Sequence, residues 1–315
     1  MSVTENLPPQ GASSRSTFSK GCTLTHHCSI KPVNEWEKMP AVDLYWGDCV
    51  GALPKIVEPA SVDVCVTSPP YNLGIRYRSY DDDRSDIEYL AWTASWVQQV
   101  RRVLKDDGSL FLNIGGSLRA PLLPLTIVNE IVNRLKIFKL QNTIHWIKSI
   151  AIPDKEGPRQ LGHYKPINSE RFVNDCHEYI FHLTPNGTTS LDRKAVGVPY
   201  ADKSNIARWS HTGGGDVKCK GNTWFIPYKT IMNRAKDRPH PATFPTELAL
   251  QCIRLHGKNG SSTVLDPFLG IGHAALAAVE CRVSRFIGFE IDREYLRVAD
   301  GELKARGVEP RIHSC

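Results

Sequence analysis

The segment at positions 263–272 has the sequence TVLDPFLGIG, and it decides the fold class. Its first residues, Thr263–Leu265, predict a buried strand, and the two glycines that follow predict a tight turn. The Ala-rich stretch His273–Cys281 predicts a helix. The next predicted strand, Arg285–Glu290, ends on a carboxylate 18 residues past Gly272. A strand, a glycine turn, a helix and a further strand in this order predict a parallel sheet covered by helices.

The glycine turn has the features of a nucleoside-binding site. Gly270 and Gly272 let the backbone approach a ligand closely, and Glu290 can accept hydrogen bonds from both ribose hydroxyls. The dinucleotide pattern G-x-G-x-x-G would need a third glycine where Ala275 stands. Asp266, before the turn, supplies a carboxylate for a cation such as a methionine ammonium. The turn therefore favours an S-adenosylmethionine site, with a structural turn or a dinucleotide site as alternatives.

A second segment, Ser68-Pro69-Pro70-Tyr71, directly follows the predicted strand Ser61–Thr67. Consecutive prolines cannot donate to a sheet ladder and hold the backbone extended. An aromatic amine is a poor nucleophile because its lone pair is delocalised into the ring. Hydrogen bonds accepted by Ser68 Oγ and the Pro69 carbonyl would localise that lone pair, and Tyr71 would stack on the ring. The alternative is a rigid turn without chemistry.

Strands alternate with helices along the rest of the chain. We predict an α/β fold with a mostly parallel, doubly wound, Rossmann-like sheet, interrupted by a loop-rich insert. The predicted divisions are a flexible tail at 1–40, catalytic parts at 41–150 and 223–315, and the insert at 151–222. The other predicted strands are Val42–Trp46, Ser109–Ile114, Gln141–Lys148 and Glu178–Leu183, and the other predicted helices are Ile87–Leu104, Leu122–Leu135, Pro245–His256 and Arg293–Arg306.

Composition excludes several classes of protein. The chain has no apolar run of about 18 residues, which a transmembrane helix would need, and its polar N-terminus lacks the apolar region of a signal peptide. Nine cysteines without C-x-x-C spacing indicate reduced thiols. The cluster Cys22, His26, His27 and Cys28 matches no usual zinc spacing, so no metal is predicted. We expect a cytoplasmic protein of bacterial type.

The positive charge is concentrated in one part of the chain. The net charge is +6, and residues 151–240 hold 14 Lys or Arg against 9 Asp or Glu. Such a surplus suits a polyanion such as nucleic acid, although a solvated basic face is the alternative. The residues predicted to contact DNA phosphates are Lys155, Arg159, Lys165, Arg171, Lys218 and Lys220.

Together these motifs resemble the DNA amino-methyltransferases that modify cytosine N4 or adenine N6, often in restriction–modification systems. The likeness rests on 47–49, 67–71, 240–245 and 266–272, with Glu290. The Pro-Pro-Tyr motif comes first and the glycine turn last, which resembles the circularly permuted β-type order with a target-recognition region between the motifs. The likeness covers roughly 42–150 and 222–306.

The resemblance implies a role for each matching residue. Asp48 and Cys49 would line the adenine side of the cofactor pocket, and Phe244 and Thr246 would wrap the cofactor. Glu290 would bind its ribose. The first position of the Pro-Pro-Tyr motif separates the two base specificities imperfectly, with Asp common in adenine enzymes and Ser associated with cytosine enzymes. The methionine and adenosine parts would contact Asp266, Phe268, Gly270 and Gly272, while Ser68, Pro69, Pro70 and Tyr71 would handle the base.

The sequence therefore favours transfer of a methyl group from S-adenosylmethionine to cytosine N4 in double-stranded DNA, in a base flipped out of the helix. The alternatives are adenine N6, an RNA base, and an inactive nucleic-acid-binding paralogue. A protein-glutamine methyltransferase would place its glycine turn before the Pro-Pro-Tyr motif, opposite to the order found here. A cognate restriction endonuclease is a candidate functional partner, and the chain is expected to be a monomer or a homodimer.

Overall fold

A single mixed sheet runs through the computed structural model, which describes residues 39–118, 120–148, 168–173, 175–208, 213–227 and 242–315. The described residues contribute nine strands to it. They are β1 Ala41–Trp46, β2 Val62–Thr67, β3 Leu104–Ile114, β4 Lys139–Ile147, β5 His177–Thr184, β6 Thr223–Phe225, β7 Thr263–Asp266, β8 Arg285–Glu290 and β9 Arg311–Ser314.

The strands of this sheet follow the order β6-β4-β5-β3-β2-β7-β8-β1-β9. All neighbouring pairs are parallel except the two that involve β5, which runs antiparallel to β3 and to β4. The N-terminal strand β1 pairs with β8 near the C-terminus, in register from Ala41 opposite Arg285 to Trp46 opposite Glu290. The mostly parallel, doubly wound sheet predicted from the sequence is confirmed.

The described part of the chain contains seven α-helices, none with the length and hydrophobicity required to span a bilayer. Several begin at a side chain that satisfies free backbone N–H groups. Ser85 and Glu88 form a capping box at the start of the second helix, and Asp292 caps the last one. The helices are α1 Cys49–Ile56, α2 Asp86–Val103, α3 Leu123–Asn129, α4 Ser204–Arg208, α5 Thr246–His256, α6 His273–Glu280 and α7 Arg293–Lys304.

Helices cover both faces of the sheet, and alternation along each strand decides which side chain faces which layer. Val64 and Val66 of β2 pack in one core cluster with α5, α6 and α7. Cys65, between them, packs in the other cluster with α1, α2 and α3. Burial on both faces explains why β2 has an almost continuous run of apolar residues.

The predicted strands and helices are confirmed, with ends shifted by a few residues at most sites. The largest shift is at β3, which starts at Leu104 rather than Ser109 and has an irregular register against β2. The predicted helix Leu122–Leu135 ends in a π-helical turn, Glu130–Arg134. The sequence analysis missed α1, α4, β6 and β9 because they are short, with three to eight residues each, and α1 also contains Pro54.

The two central strands, β2 and β7, mark the point where the chain winds outward in opposite directions. From β7 the chain passes through α6 to β8, and from β2 it passes through α2 to β3 on the other side. A buried hydrogen bond of 2.7 Å from Thr67 Oγ1 to Asp266 Oδ1 joins the two strand tips. A crevice at the carboxyl ends of the strands is expected at such a switch point.

Some predicted regions are described only in part. Residues 1–38 of the predicted tail, which include the Cys22–Cys28 cluster, lie outside the described residues, as do Lys155, Arg159 and Lys165. The predicted insert, 151–222, contains β5, which belongs to the central sheet. The division between catalytic parts and recognition region stays a prediction.

A buried chain of polar groups links β3, β5 and α5 away from the crevice. Ser109 Oγ lies 2.9 Å from His182 Nε2 and 2.9 Å from His256 Nδ1. Asn142 Nδ2 lies 2.9 Å from His182 Nδ1. Burial lowers the pKa of His182 to about 3 and that of His256 to about 4. Both imidazoles are therefore neutral in the folded protein at neutral pH.

The difference between the pKa values of these histidines in the folded and the unfolded chain predicts that the protein loses stability in mild acid. An unfolded histidine titrates near 6.5, so between about pH 6.5 and pH 4 the unfolded chain binds protons that the folded chain excludes. The free energy of unfolding falls as the pH falls through this window, by about 3 kcal/mol for His182 alone. Urea unfolding of the wild type and of His182→Gln at several pH values measures this, because all other groups cancel in the difference. Parallel pH curves for the two proteins would contradict it.

Candidate active site

A cavity of about 530 Å³ lies at the carboxyl ends of the central strands, within the size range of small-molecule sites. Side chains from both sequence motifs line it, although the motifs are about 200 residues apart in the chain. The predicted site residues that line it are Asp48, Cys49, Ser68, Pro69, Pro70, Tyr71, Phe244, Phe268, Gly270 and Glu290.

The glycine turn and Glu290 form one side of this cavity. Gly270 N donates to Glu290 Oε2 at 2.7 Å, and Asp292 N donates to Glu290 Oε1 at 2.8 Å. Burial raises the pKa of Glu290 to about 7, although these two backbone hydrogen bonds oppose the shift. Gly270 has a φ of 55°, in the left-handed region that favours glycine. The two backbone hydrogen bonds thus fix the orientation of the Glu290 carboxylate at the cavity wall.

Asp266 lies beneath this wall and does not line the cavity. Its Oδ1 accepts from Thr67 Oγ1 and, at 3.0 Å, from Phe268 N, while its Oδ2 is buried and has no hydrogen-bond partner. Burial raises the pKa of Asp266 to about 7. A buried carboxylate oxygen without a partner is costly, and a bound cationic group nearby would offset that cost.

These features fit S-adenosylmethionine, the cofactor that the sequence predicts. Glu290 can accept from ribose hydroxyls, Phe268 offers an aromatic wall, and Asp266 retains an unused acceptor oxygen. Besides Asp266, two other predicted cofactor residues lie outside the cavity lining. Thr246 begins α5 outside the cavity lining, and Gly272 allows close helix packing, since a Cβ there would lie 2.8 Å from Ala299 Cβ. Their predicted cofactor contacts stay predictions.

A loop at 72–84, which the sequence analysis did not single out, covers part of the cavity. Buried Asp82 holds it by accepting backbone hydrogen bonds from Asn72 at 2.8 Å and from Leu73 and Ile75 at 3.0 Å. Burial raises the pKa of Asp82, and the three backbone donors oppose that shift. The sequence shows three consecutive aspartates here but not which one faces inward.

The far side of this loop reaches the turn between β8 and α7. Ser79 Oγ donates to Asp292 Oδ2 at 3.0 Å, while Asp292 Oδ1 accepts from Glu294 N at the start of α7. Tyr77 and Tyr80 of the loop line the same cavity. The loop therefore connects the Pro-Pro-Tyr motif with the strand end that carries Glu290.

The opposite end of the cavity contains a compact polar network. Ser68 Oγ lies 2.7 Å from Tyr71 Oη, and Tyr71 Oη donates to Glu178 Oε2 at 2.9 Å. Asn113 Nδ2 donates to Tyr71 Oη and to Glu178 Oε2, each at 2.7 Å. Lys148 Nζ pairs with Glu178 Oε1 at 2.8 Å. Neither Asn113 nor Glu178 was predicted as a site residue, because each lies in a predicted strand and outside the two motifs.

The three described residues that were predicted to contact DNA lie in different surroundings. Arg171 precedes β5 in the chain, and its side chain is exposed. Lys218 is exposed and lies 5.7 Å from the centre of the Tyr200 ring. Lys220 is half-buried, lies over the Trp224 ring and pairs with Gln251. The structure brings none of these three into the cavity lining.

Comparison with known families supports what the geometry indicates. The sequence profile described as "DNA methylase" matches residues 62–301. The chain belongs to this family. It is 31% identical over 267 residues to the Type II methyltransferase M.BglII of Bacillus subtilis, covering 81% of this chain and 67% of that protein. It is 26% identical over 266 residues to M.HpaI of Haemophilus parainfluenzae, covering 83% and 76%.

Solved structures share the fold. The PvuII DNA methyltransferase (cytosine-N4-specific) superposes with a TM-score of 0.59 at 19% identity, covering 83% of this chain and 86% of that one. A DNA modification methylase of Thermus thermophilus, solved in complex with S-adenosyl-L-methionine, gives a TM-score of 0.58 at 22% identity, covering 87% and 98%.

Family membership and the order of the motifs confirm a β-type DNA amino-methyltransferase. Such an enzyme methylates an exocyclic amino group, on cytosine N4 or adenine N6, with S-adenosylmethionine as the methyl donor.

Replacing Asp82 is expected to weaken cofactor binding without removing any predicted cofactor contact. Asp82→Ala leaves three backbone N–H groups without their acceptor, so loop 72–84 loses its fixed shape over the cavity. We expect the S-adenosylmethionine Kd measured by calorimetry to rise about tenfold, with faster proteolysis of the loop. Asp83→Ala, at a neighbouring residue, is the control and should match the wild type. Equal affinity in all three proteins would contradict this role for Asp82.

Proposed function

We propose that this enzyme methylates cytosine N4 in double-stranded DNA. The observation that carries the proposal is Ser68, which places a hydroxyl rather than a carboxylate at the first position of the Pro-Pro-Tyr motif, inside the cavity. The PvuII enzyme, whose name states cytosine-N4 specificity, supports it as a neighbour in fold. The base must leave the duplex to reach this cavity, at a cost of about a few kcal/mol.

In this proposal, Ser68 and Pro69 act on the amino group of the flipped base. Tyr89 Oη donates to the Pro70 carbonyl at 2.6 Å, so that carbonyl is already engaged. The Pro69 carbonyl and Ser68 Oγ are then the acceptors for the two N–H groups of the amine. Accepting both hydrogen bonds directs the nitrogen lone pair out of the ring plane. Tyr71, anchored by its hydroxyl, offers its ring to the base.

The other end of the cavity orients the cofactor, which when bound supplies a methyl group on a positively charged sulfur. Glu290 accepts hydrogen bonds from the ribose, and Phe268 packs against the adenosine part. Asp48 and Cys49 border the adenine side, where Asp48 also caps α1 through Val50 N at 3.1 Å. Phe244 and the loop 72–84 cover the site and keep water from it.

Adenine N6 is the second candidate because the site also holds a carboxylate, Glu178. Its two oxygens are engaged by Lys148, Tyr71 and Asn113. A carboxylate with these partners is less available as a direct acceptor for the amine than Ser68 Oγ is. This difference favours cytosine.

Six basic residues are proposed to position the duplex through phosphate contacts. Each phosphate contact adds affinity that falls with salt concentration. A restriction endonuclease with the same recognition sequence is the proposed functional partner, as the Type II names of the relatives suggest. The residues proposed to bind DNA are Lys155, Arg159, Lys165, Arg171, Lys218 and Lys220.

The proposal predicts the modified base directly. The enzyme is incubated with duplex DNA and S-adenosylmethionine carrying a tritiated methyl group, and the DNA is digested to nucleosides. We expect the label in N4-methylcytosine. Label only in N6-methyladenine would replace the proposed base, and label only in an RNA substrate would replace the substrate class.

The assigned roles of Ser68 and Asp266 predict different defects. Ser68→Ala removes an acceptor for the amine, so turnover should fall on the order of 100-fold while cofactor affinity stays within about twofold. Asp266→Ala removes the unpaired carboxylate oxygen and the bond to Thr67, so cofactor affinity itself should fall by about tenfold. Calorimetry and single-turnover rates separate the two. Asp266→Asn keeps an acceptor for Thr67 and isolates the effect of the charge.

A further inference from the structure

A carboxylate at the start of the antiparallel strand β5 points to a role beyond the two sequence motifs. Glu178 is buried and lines the cavity, and it is joined to Ser68 through one intervening hydroxyl, that of Tyr71. Gly115 at the end of β3 makes this approach possible. A Cβ at Gly115 would lie 2.9 Å from Glu178 Cγ and 3.3 Å from Tyr71 Cε2.

The hydrogen bonds of this network have one consistent direction. A carboxylate only accepts, so the single Tyr71 Oη proton points to Glu178 Oε2. Tyr71 Oη must then accept from Ser68, so the Ser68 proton is directed to Tyr71 Oη. Asn113 Nδ2 reaches Ser68 Oγ only at 3.4 Å. Glu178 thus sets the direction of this series of hydrogen bonds. The lone pairs of Ser68 Oγ are therefore left to accept from the amine of the base.

Methylation of an amine leaves a proton to be removed. A nitrogen–carbon bond forms as the sulfur–carbon bond breaks, the electron pair goes to sulfur, and the nitrogen becomes cationic with one proton too many. A neutral hydroxyl cannot keep this proton, since it would become an oxonium, so Ser68 must release its own proton as it receives one. Tyr71 is under the same constraint.

We infer that Glu178 is a positioning residue that ends a proton relay from the methylated amine through Ser68 and Tyr71, an inference that rests on the proposed amine chemistry. The amine proton moves to Ser68 Oγ, the Ser68 proton to Tyr71 Oη, and the Tyr71 proton to Glu178 Oε2. The product amine is then neutral and Glu178 is a carboxylic acid. Lys148, at the end of β4, holds the other carboxylate oxygen in place.

Several charged and titratable groups surround Glu178, and a pH experiment on the reaction rate also responds to them. The groups in hydrogen-bond contact with its carboxylate are Lys148 from the end of β4, Tyr71 from the chain after β2, and Asn113 from β3. Ser68 joins the network through Tyr71. Other titratable groups that line the same cavity are Asp48, Cys49, Tyr77, Tyr80, Asp81, Arg84, His273, Glu290, Asp292 and Tyr295.

The test compares Glu178→Gln with the wild type at saturating cofactor and DNA. The variant keeps an acceptor for Tyr71 and Asn113 but cannot take a proton. We expect the single-turnover rate to fall by about 100-fold or more. The wild-type rate should rise with pH, and the variant should lack that rise. Cofactor affinity by calorimetry should stay within about twofold. Tyr71→Phe, which interrupts the relay but keeps the ring, should show the same loss.

Two further variants separate a relay from a structural ion pair. Glu178→Gln places an amide beside Lys148, and Lys148→Met removes that conflict in the double variant. If Glu178 only neutralises Lys148, the double variant recovers the wild-type rate and the inference is overturned. A relay predicts that the double variant stays slow. Glu130→Gln, at a buried glutamate paired with Arg134 in the π-helical turn, is the matched control and should keep the wild-type rate.

The outcome is independent of which base is methylated. The nucleoside found in the wild-type digest decides between cytosine N4 and adenine N6. The ratio of variant to wild-type rate decides the role of Glu178 for either amine. A Glu178→Gln rate within about threefold of the wild type, with an unchanged pH profile, would overturn the relay even if the digest contained N4-methylcytosine.

Discussion

The hydrogen bond between Thr67 and Asp266 is the interaction on which the site depends. The two residues are 199 positions apart, at the tips of the two central strands, and their 2.7 Å contact is fully buried. Beyond it the chain turns one way into the Pro-Pro-Tyr motif and the other way into the glycine turn. Because the bond is shielded from water, it fixes the separation of the base side from the cofactor side.

Buried polar groups hold the rest of the site in one arrangement. Asp82 fixes the covering loop, two backbone N–H groups fix Glu290, and Asn113 with Lys148 fixes Glu178. Each of these polar groups would be costly to bury without a hydrogen-bond partner. The hydrogen bonds that meet this need also fix the positions of the groups that they join. Reactive groups held in this way need little rearrangement when substrate binds, which is the condition for efficient electrostatic catalysis.

The sequence predicted the features that depend on local patterns. Apolar periodicity located most strands and helices, and the two motifs located both ends of the cavity. Features that depend on distant pairing were missed: the edge strand β9 is short and exposed, and Glu178 becomes a site residue only because β5 runs antiparallel and starts at the catalytic edge. Three adjacent aspartates gave no sign that only Asp82 is buried.

The antiparallel strand has an evolutionary consequence. The connection at 148–176 leaves β4 and returns to β5, its neighbour, at the edge of the sheet where the cavity lies. Hydrogen bonds between these strands set their register from Ile147 opposite His177 onward, whatever the length of the connection. Changes in the length of this connection during evolution therefore leave Lys148 and Glu178 facing each other at the cavity, because strand pairing sets their separation.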